Sequence, residues 1–347
     1  MANQIALNLI RARGLELIEL DYFVVDVFTS TPLAGNPLAV VMDSVGLTSE
    51  RMQAIAREFN LSETTFVERR PSAIEQAQGV RVRIFTTQEE LNFAGHPTLG
   101  TASVLKLQAP ETVRDGAVTL QLNVGAVPVR FDPPAAGAAD LPGDCAPLFG
   151  EMTQPDPEFG AELNPEDVAW LTGLAVDDLD RGLTPQTVST GTAFAIVVLR
   201  STEALARLNV RQQEASAWLR DRGARWFYVL APTHAGAGGG EPAYRARMQF
   251  NSGEDPATGS AAGCAIAYLV AHGAVPPGQR VHVRQGVEIG RPSDLYLSAQ
   301  FQSESVPVAD GLAQTPGGGG NSKSARVGNV RVAGSTVLGS KGRLFLP

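Results

Sequence analysis

Aromatic residues make up only 6% of this 347-residue chain, so its core must be built from small and aliphatic side chains. Cysteine is scarcer. Cys145 and Cys264 stand far apart with no His or Cys at metal-ligand spacing, which excludes a zinc knuckle or a disulfide framework and fits a reducing cytoplasm. Basic charge is also short. Lys plus Arg number 28 against 36 for Asp plus Glu, a net charge of −8, so neither nucleic acid nor an anionic membrane surface is an expected partner. No segment reaches the ~18 apolar residues of a membrane span. No Lys or Arg precedes Arg11, and Asn8 interrupts the apolar run Ile5 to Ile10; this excludes a secretory signal and leaves residues 1–20 as a peripheral extension. Without such a signal, the sequon Asn60-Leu61-Ser62 is read as chance. Dinucleotide fingerprints and Gly-x-Ser-x-Gly elbows are missing. Gly317 to Ser324 has Ser322 where a phosphate loop needs glycine, so it and the stretch His234 to Gly240 are read as flexible loops.

What is present is an ordinary folded composition, 44% hydrophobic and 18% charged, with a length that suits two domains. Tyr22 to Phe28 and Leu38 to Met42 read as strands, separated by the turn segment Ser30 to Pro37. Spacing predicts a helix from Thr48, as N-cap, to Phe59. Strands follow at Thr64–Val67 and Val80–Phe85, a helix at His96–Leu107, and strands at Ala117–Leu122 and Val127–Phe131. Residues 132–163, rich in Pro, Ala and Gly, read as a linker or excursion. The order then restarts, with a strand at Phe194–Leu199, a helix at Glu203–Leu219 and a strand at Trp226–Leu230. Two segments recur. Gly35-Asn36-Pro37-Leu38 matches Gly191-Thr192-Ala193-Phe194, and His96-Pro97-Thr98-Leu99-Gly100 matches Asp255-Pro256-Ala257-Thr258-Gly259, at nearly the same offset. Two patterns repeated in order argue for an internal duplication, hence two similar domains with a site between them.

The repeated segments carry the chemistry. Each sets a polar residue, His96 or Asp255, at the expected N-cap, with Pro97 or Pro256 at the first helical position and small residues after it. Helix starts expose unsatisfied N–H groups and the positive end of the dipole, so two of them facing one cleft suit a carboxylate. An imidazole and a carboxylate beside that anion can exchange protons near neutral pH. Taken alone, Asp255 reads as a common cap; His is a less natural one. Glu63, between a helix end and a strand, reads from composition alone as an exposed turn residue, but apolar neighbours there would raise its pKa and suit it to act as acid and base in turn. Cys264 is read as a small core residue, and His234, His272 and His282 lack partners at ligand spacing.

Five spaced motifs in order resemble the phenazine biosynthesis PhzF-type isomerase family of the diaminopimelate epimerase-like superfamily. They are Asp26-Val27-Phe28 with Gly35-Asn36-Pro37, Asn60 to Phe66, Phe93 to Gly100, Glu254 to Ala261, and Gln285 to Ser293. The resemblance implies an α+β fold of two pseudo-symmetric domains, each a mostly antiparallel sheet or barrel wrapped around a central helix. It places an N-terminal domain at 21–131, completed by a C-terminal strand at 336–347, and a C-terminal domain at 164–335. It implies a cofactor-independent isomerase acting on a small anionic metabolite, with a homodimer as the assembly. Glu63 would be the proton shuttle, helped by His96 and Asp255. Gly95, Gly259 and Ser260 would hold the substrate carboxylate, and Asn36 would contact substrate or shape its loop. No metal is implied. Related epimerases carry a cysteine pair at the two central-helix starts; His96 and Asp255 stand there in this reading, which disfavours two-thiol racemisation.

Overall fold

The computed structural model describes residues 17–132, 146–233, 243–250, 253–302 and 326–346. Its first half runs β1 (Ile18–Val27), β2 (Asn36–Val41), α1 (Ser49–Phe59), β3 (Glu63–Glu68), α2 (Ser72–Gln78), β4 (Val80–Phe85), β5 (Glu90–Leu91), α3 (Gly95–Gln108), β6 (Val113–Arg114), β7 (Ala117–Leu122), β8 (Gly125–Phe131) and β9 (Leu148–Thr153). The second runs β10 (Glu158–Glu162), α4 (Pro165–Thr172), β11 (Gln186–Ser189), β12 (Ala193–Val198), α5 (Thr202–Ala206), α6 (Gln212–Arg220), β13 (Trp226–Pro232), β14 (Ala243–Arg247), β15 (Gln249–Phe250), β16 (Gly253–Glu254), α7 (Gly259–Ala271), β17 (Val281–Gln285), β18 (Ser293–Gln302) and β19 (Arg326–Leu346).

The fold is α+β, and its two halves repeat one plan. In the first, β1 to β4 and β7 to β9 pair in the order antiparallel, parallel, antiparallel, parallel, antiparallel, antiparallel. In the second, β11 to β14 and β17 to β19 pair in the same order. The first half closes into an eight-stranded barrel because β19 bonds both β9 and β1. That strand links the halves: Arg326 to Ala333 pair with β18, and Thr336 to Leu346 pair with β1.

Each half wraps one helix. In α3 every residue from Gly95 to Leu105 is buried, and in α7 every residue from Gly259 to Val270. Neither helix has a charged residue in those stretches, so enclosure by a sheet costs no charge desolvation, and a helix apolar on all sides belongs inside. Fully burying a side chain such as Leu99 or Leu105 stabilises by roughly 1.5–3 kcal/mol. By contrast α1 buries only Met52, Ile55 and Ala56, the one-sided pattern of a helix lying on a sheet. No helix among the described residues is long and apolar enough to cross a membrane.

Several expectations need correction. Helix α3 begins at Gly95 with Ala94 as N-cap, so His96 is not the cap and Pro97 is its third residue. Proline fits there because the first four helical N–H groups lack intrahelical partners. Helix α7 begins at Gly259, leaving Asp255 and Pro256 in the connection ahead of it. The single helix expected over Glu203–Leu219 is two, α5 and α6; between them Asn209 and Arg211 donate backbone hydrogen bonds to the Thr172 and Leu171 carbonyls. The span 132–163 supplies β9 and β10 to the sheet, and Ile18 to Leu20 of the expected extension belong to β1. Cys145, His234, the two glycine-rich loops and the rest of the extension up to residue 16 lie outside the described residues.

Candidate active site

The starts of α3 and α7 meet back to back. A Cβ placed on Gly95 would lie 2.6 Å from the Ser260 nitrogen and 2.7 Å from the Gly259 carbonyl carbon. Only glycine allows that approach. Beside the junction lies a cavity of about 520 Å³, lined by Glu63, Gly95, His96, Asp255, Gly259 and Ser260. Six of the seven residues singled out in the sequence therefore border one space. The seventh, Asn36, is fully buried behind it.

Local structure delivers each group. Asn60 ends α1 in the left-handed conformation at φ 52° and turns the chain into β3, so Glu63 becomes the strand's first residue. Asn60 thus has a C-cap role that asparagine performs well. Glu63 Oε2 lies 3.4 Å from His96 Nε2, and neither atom has a hydrogen-bond partner among the described residues. Asn36 stands at the start of β2, and its Nδ2 lies 2.8 Å from Asp255 Oδ1, 2.9 Å from the Ala257 carbonyl and 3.1 Å from His96 Nδ1. One amide thus ties the histidine of the first half to the aspartate of the second.

The chain is similar to known proteins over most of its length. A family model described as phenazine biosynthesis-like protein matches residues 25–313. The chain belongs to that family. Trans-2,3-dihydro-3-hydroxyanthranilate isomerase of Pseudomonas aeruginosa is 37% identical, over 83% of this chain and 94% of its own. A solved structure, that of a predicted epimerase from Pseudomonas aeruginosa, has a TM-score of 0.71 at 31% identity and covers 94% of this chain and 99% of its own. A Bacillus anthracis protein of the PhzF family has a TM-score of 0.72 at 23% identity, covering 95% and 100%, and shows the same fold. This member of the phenazine biosynthesis-like family is by class an isomerase.

Electrostatics in the family member's cleft follow from burial. Loss of water pushes the Glu63 carboxyl well above the usual range, and the Asp255 charge pushes the same way against the pull of the Arg225 guanidinium. Burial lowers His96 to about 3, so its ring is neutral. Burial also raises Asp255, while hydrogen bonds from Thr258 and Asn36 act downward. The Cys264 thiol is pushed up to about 12 by burial and stays a thiol. Among the described residues, no group of three or more His, Cys, Asp and Glu is placed to hold a metal ion.

Several residues in and behind the cavity were given no role from the sequence. Arg225 lies over the Trp226 ring at 4.3 Å, and both line the cavity with Phe93, Met248 and Phe250. Gln285 is fully buried and bonds Thr258, Tyr228 and the Asp255 carbonyl. Its signal was readable: Val281, Val283 and Gln285 share the buried face of β17, and a glutamine at an apolar period-two position needs polar partners inside.

Proposed function

We propose that this protein moves a proton between two carbons of a small, carboxylate-bearing, cyclic substrate, the type of reaction named for its dihydro-hydroxyanthranilate isomerase relative. The observation that carries this reading is the Glu63 carboxylate oxygen facing the His96 nitrogen over the paired helix starts, neither atom having a hydrogen-bond partner among the described residues. The substrate carboxylate would sit on first-turn N–H groups of Gly95, Gly259 and Ser260, with the Ser260 hydroxyl beside them. Glu63, as carboxylate, would take a proton from a ring carbon. The electron pair released shifts through the adjacent double bond. Glu63, now the acid and open to exchange with water, returns a proton at the carbon where the pair arrives. Neutral His96, with its hydrogen on Nε2, would donate to oxygen on the substrate or hold Glu63 in place.

A racemase would use two opposed bases. The duplicated register argues for one. Glu63 pairs with Leu38 across β2 and β3, and Trp226 pairs with Phe194, the counterpart of Leu38, across β12 and β13. The second half thus offers an indole where the first offers a carboxylate. Trp226 and its neighbours make an apolar wall suited to a ring.

Incubation with trans-2,3-dihydro-3-hydroxyanthranilate in heavy water, followed by proton NMR, tests the reading. Turnover should place deuterium on the ring carbon that receives the proton. Glu63→Gln should lose at least ~100-fold in turnover and keep its far-UV circular dichroism. Undiminished turnover in that variant would reject the role of Glu63.

A further inference from the structure

Gln285 makes four buried hydrogen bonds whose direction is forced. Its Oε1 accepts from the Tyr228 hydroxyl at 3.1 Å and the Thr258 N–H at 3.1 Å. Its Nε2 donates to the Asp255 carbonyl at 2.8 Å and to Thr258 Oγ1 at 2.9 Å. A backbone N–H only donates and a carbonyl only accepts, so this amide has one permitted orientation. Thr258 Oγ1, already receiving a hydrogen from Gln285, sends its own to Asp255 Oδ2, 2.7 Å away. The Asn36 amide is fixed in the same manner by the Ala257 carbonyl, and it directs Nδ2 at Asp255 Oδ1. Both oxygens of Asp255 thus face donors, the setting that favours its ionised form. His96 Nδ1 lies 3.1 Å from the same Asn36 Nδ2, an amide nitrogen that cannot accept a hydrogen, so the ring hydrogen belongs on Nε2, the nitrogen opposite Glu63.

We propose that Gln285 and Thr258 are positioning residues: Gln285 fixes the direction of the Thr258 hydroxyl, which holds Asp255 as a carboxylate beneath Asn36 and His96. Calling Asp255 part of the proton-transfer site rests on the function proposed above; the hydrogen-bond relay does not. The charged or titratable groups around Asp255 are Glu63, His96, Tyr228 and Glu254, the last paired with Arg247 at 2.6 Å. Burial and the Glu254 charge oppose its ionisation, so the two donors have a measurable load to carry.

The test uses the full chain with ¹³C-labelled aspartate, the Asp255 carboxyl signal being assigned through Asp255→Asn. Thr258→Val should raise the Asp255 titration midpoint by about one pH unit, and Thr258→Ser should restore it. Gln285→Met should raise it in the same direction. In the double variant the two shifts should fall short of their sum, because both act on one hydrogen bond. An unmoved midpoint in Thr258→Val, or fully additive shifts, overturns the proposal. Should Gln285→Met fail to fold, the Val and Ser variants decide alone. The readout needs no turnover. A wild-type protein that moves no proton would sink the proposed reaction and leave this result standing.

Discussion

At the scale of single residues, burial sets the pH behaviour. His96 is 3% exposed, and its pKa falls from 6.5 to about 3. Between those values the unfolded chain binds a proton that the folded chain does not. Stability conferred by the neutral ring is therefore complete above about 6.5 and is lost as pH falls toward 3, at up to roughly 1.4 kcal/mol per pH unit. Urea unfolding at a series of pH values should show that slope, and His96→Gln should flatten it whatever its effect on absolute stability. Glu63 shifts the opposite way. In the proposed role of base it would work only when ionised, so the acid limb of kcat/KM should lie well above the ordinary carboxylate value of 4.5. A limb at that ordinary value would mean water keeps the carboxylate solvated. The residues of this site were legible to different degrees. His96 and Asp255 stood out because a duplicated context singled them out, whereas Glu63 lies in a turn whose composition looks exposed. Only the fold brings α3 and α7 against it, and desolvation by distant segments leaves no local signature.

At the scale of elements, the helix starts decide what the cleft can be. The sequence repeat aligned His96 with Asp255, but contact pairs Gly95 with Gly259. Proline misled the reading: it is accepted anywhere in a first turn and in the extended approach to a helix, so Pro97 and Pro256 mark the neighbourhood and not the boundary. The strands were easier to read, because alternation and β-branched runs such as Leu38 to Val41 are local. Helix pairing is not local, and the close approach of two glycines has a consequence. A methyl on Gly95 meets backbone at 2.6 Å, which yields only if the helices part. A methyl on Gly259 meets the Phe28 ring at 3.0 Å and the Gly95 Cα at 3.3 Å, tight contacts that small shifts can relieve. Gly95→Ala should therefore cost about 2–3 kcal/mol or more and abolish binding of a carboxylate ligand such as benzoate. Gly259→Ala should cost distinctly less. Thermal denaturation and calorimetric titration of both variants check the order.

At the scale of the whole molecule, the two halves must be held in register for Asn36 to reach Asp255. Arg225–Glu89 and Arg291–Asp26 are two of the cross-half ion pairs among the described residues, and burial separates them. Arg225 pairs with Glu89 at the rim of the cavity, with side chains 42% and 54% exposed, so screening leaves that bond less than about 1 kcal/mol. Arg291, from the connection between β17 and β18, reaches into the turn ahead of β2. It donates to the Gly35 carbonyl at 2.7 Å, the Ala34 carbonyl at 2.8 Å and Asp26 Oδ1 at 2.6 Å. Asp26 is only 5% exposed there, and its other oxygen accepts from the Leu33 N–H at 2.8 Å. Removing Arg291 strands a buried carboxylate and frees two carbonyls, whereas removing Arg225 returns Glu89 to water. Arg291→Met should thus destabilise by about 2–4 kcal/mol, and Arg225→Gln by less than about 1 kcal/mol. Asp26→Asn in the Arg291→Met background should recover part of the loss, because the stranded charge is then gone. Chemical denaturation of the single and double variants measures this. Equal losses for Arg291→Met and Arg225→Gln would mean the halves are held by apolar contact between α3, α7 and the sheet, with the Arg291 clamp contributing only direction.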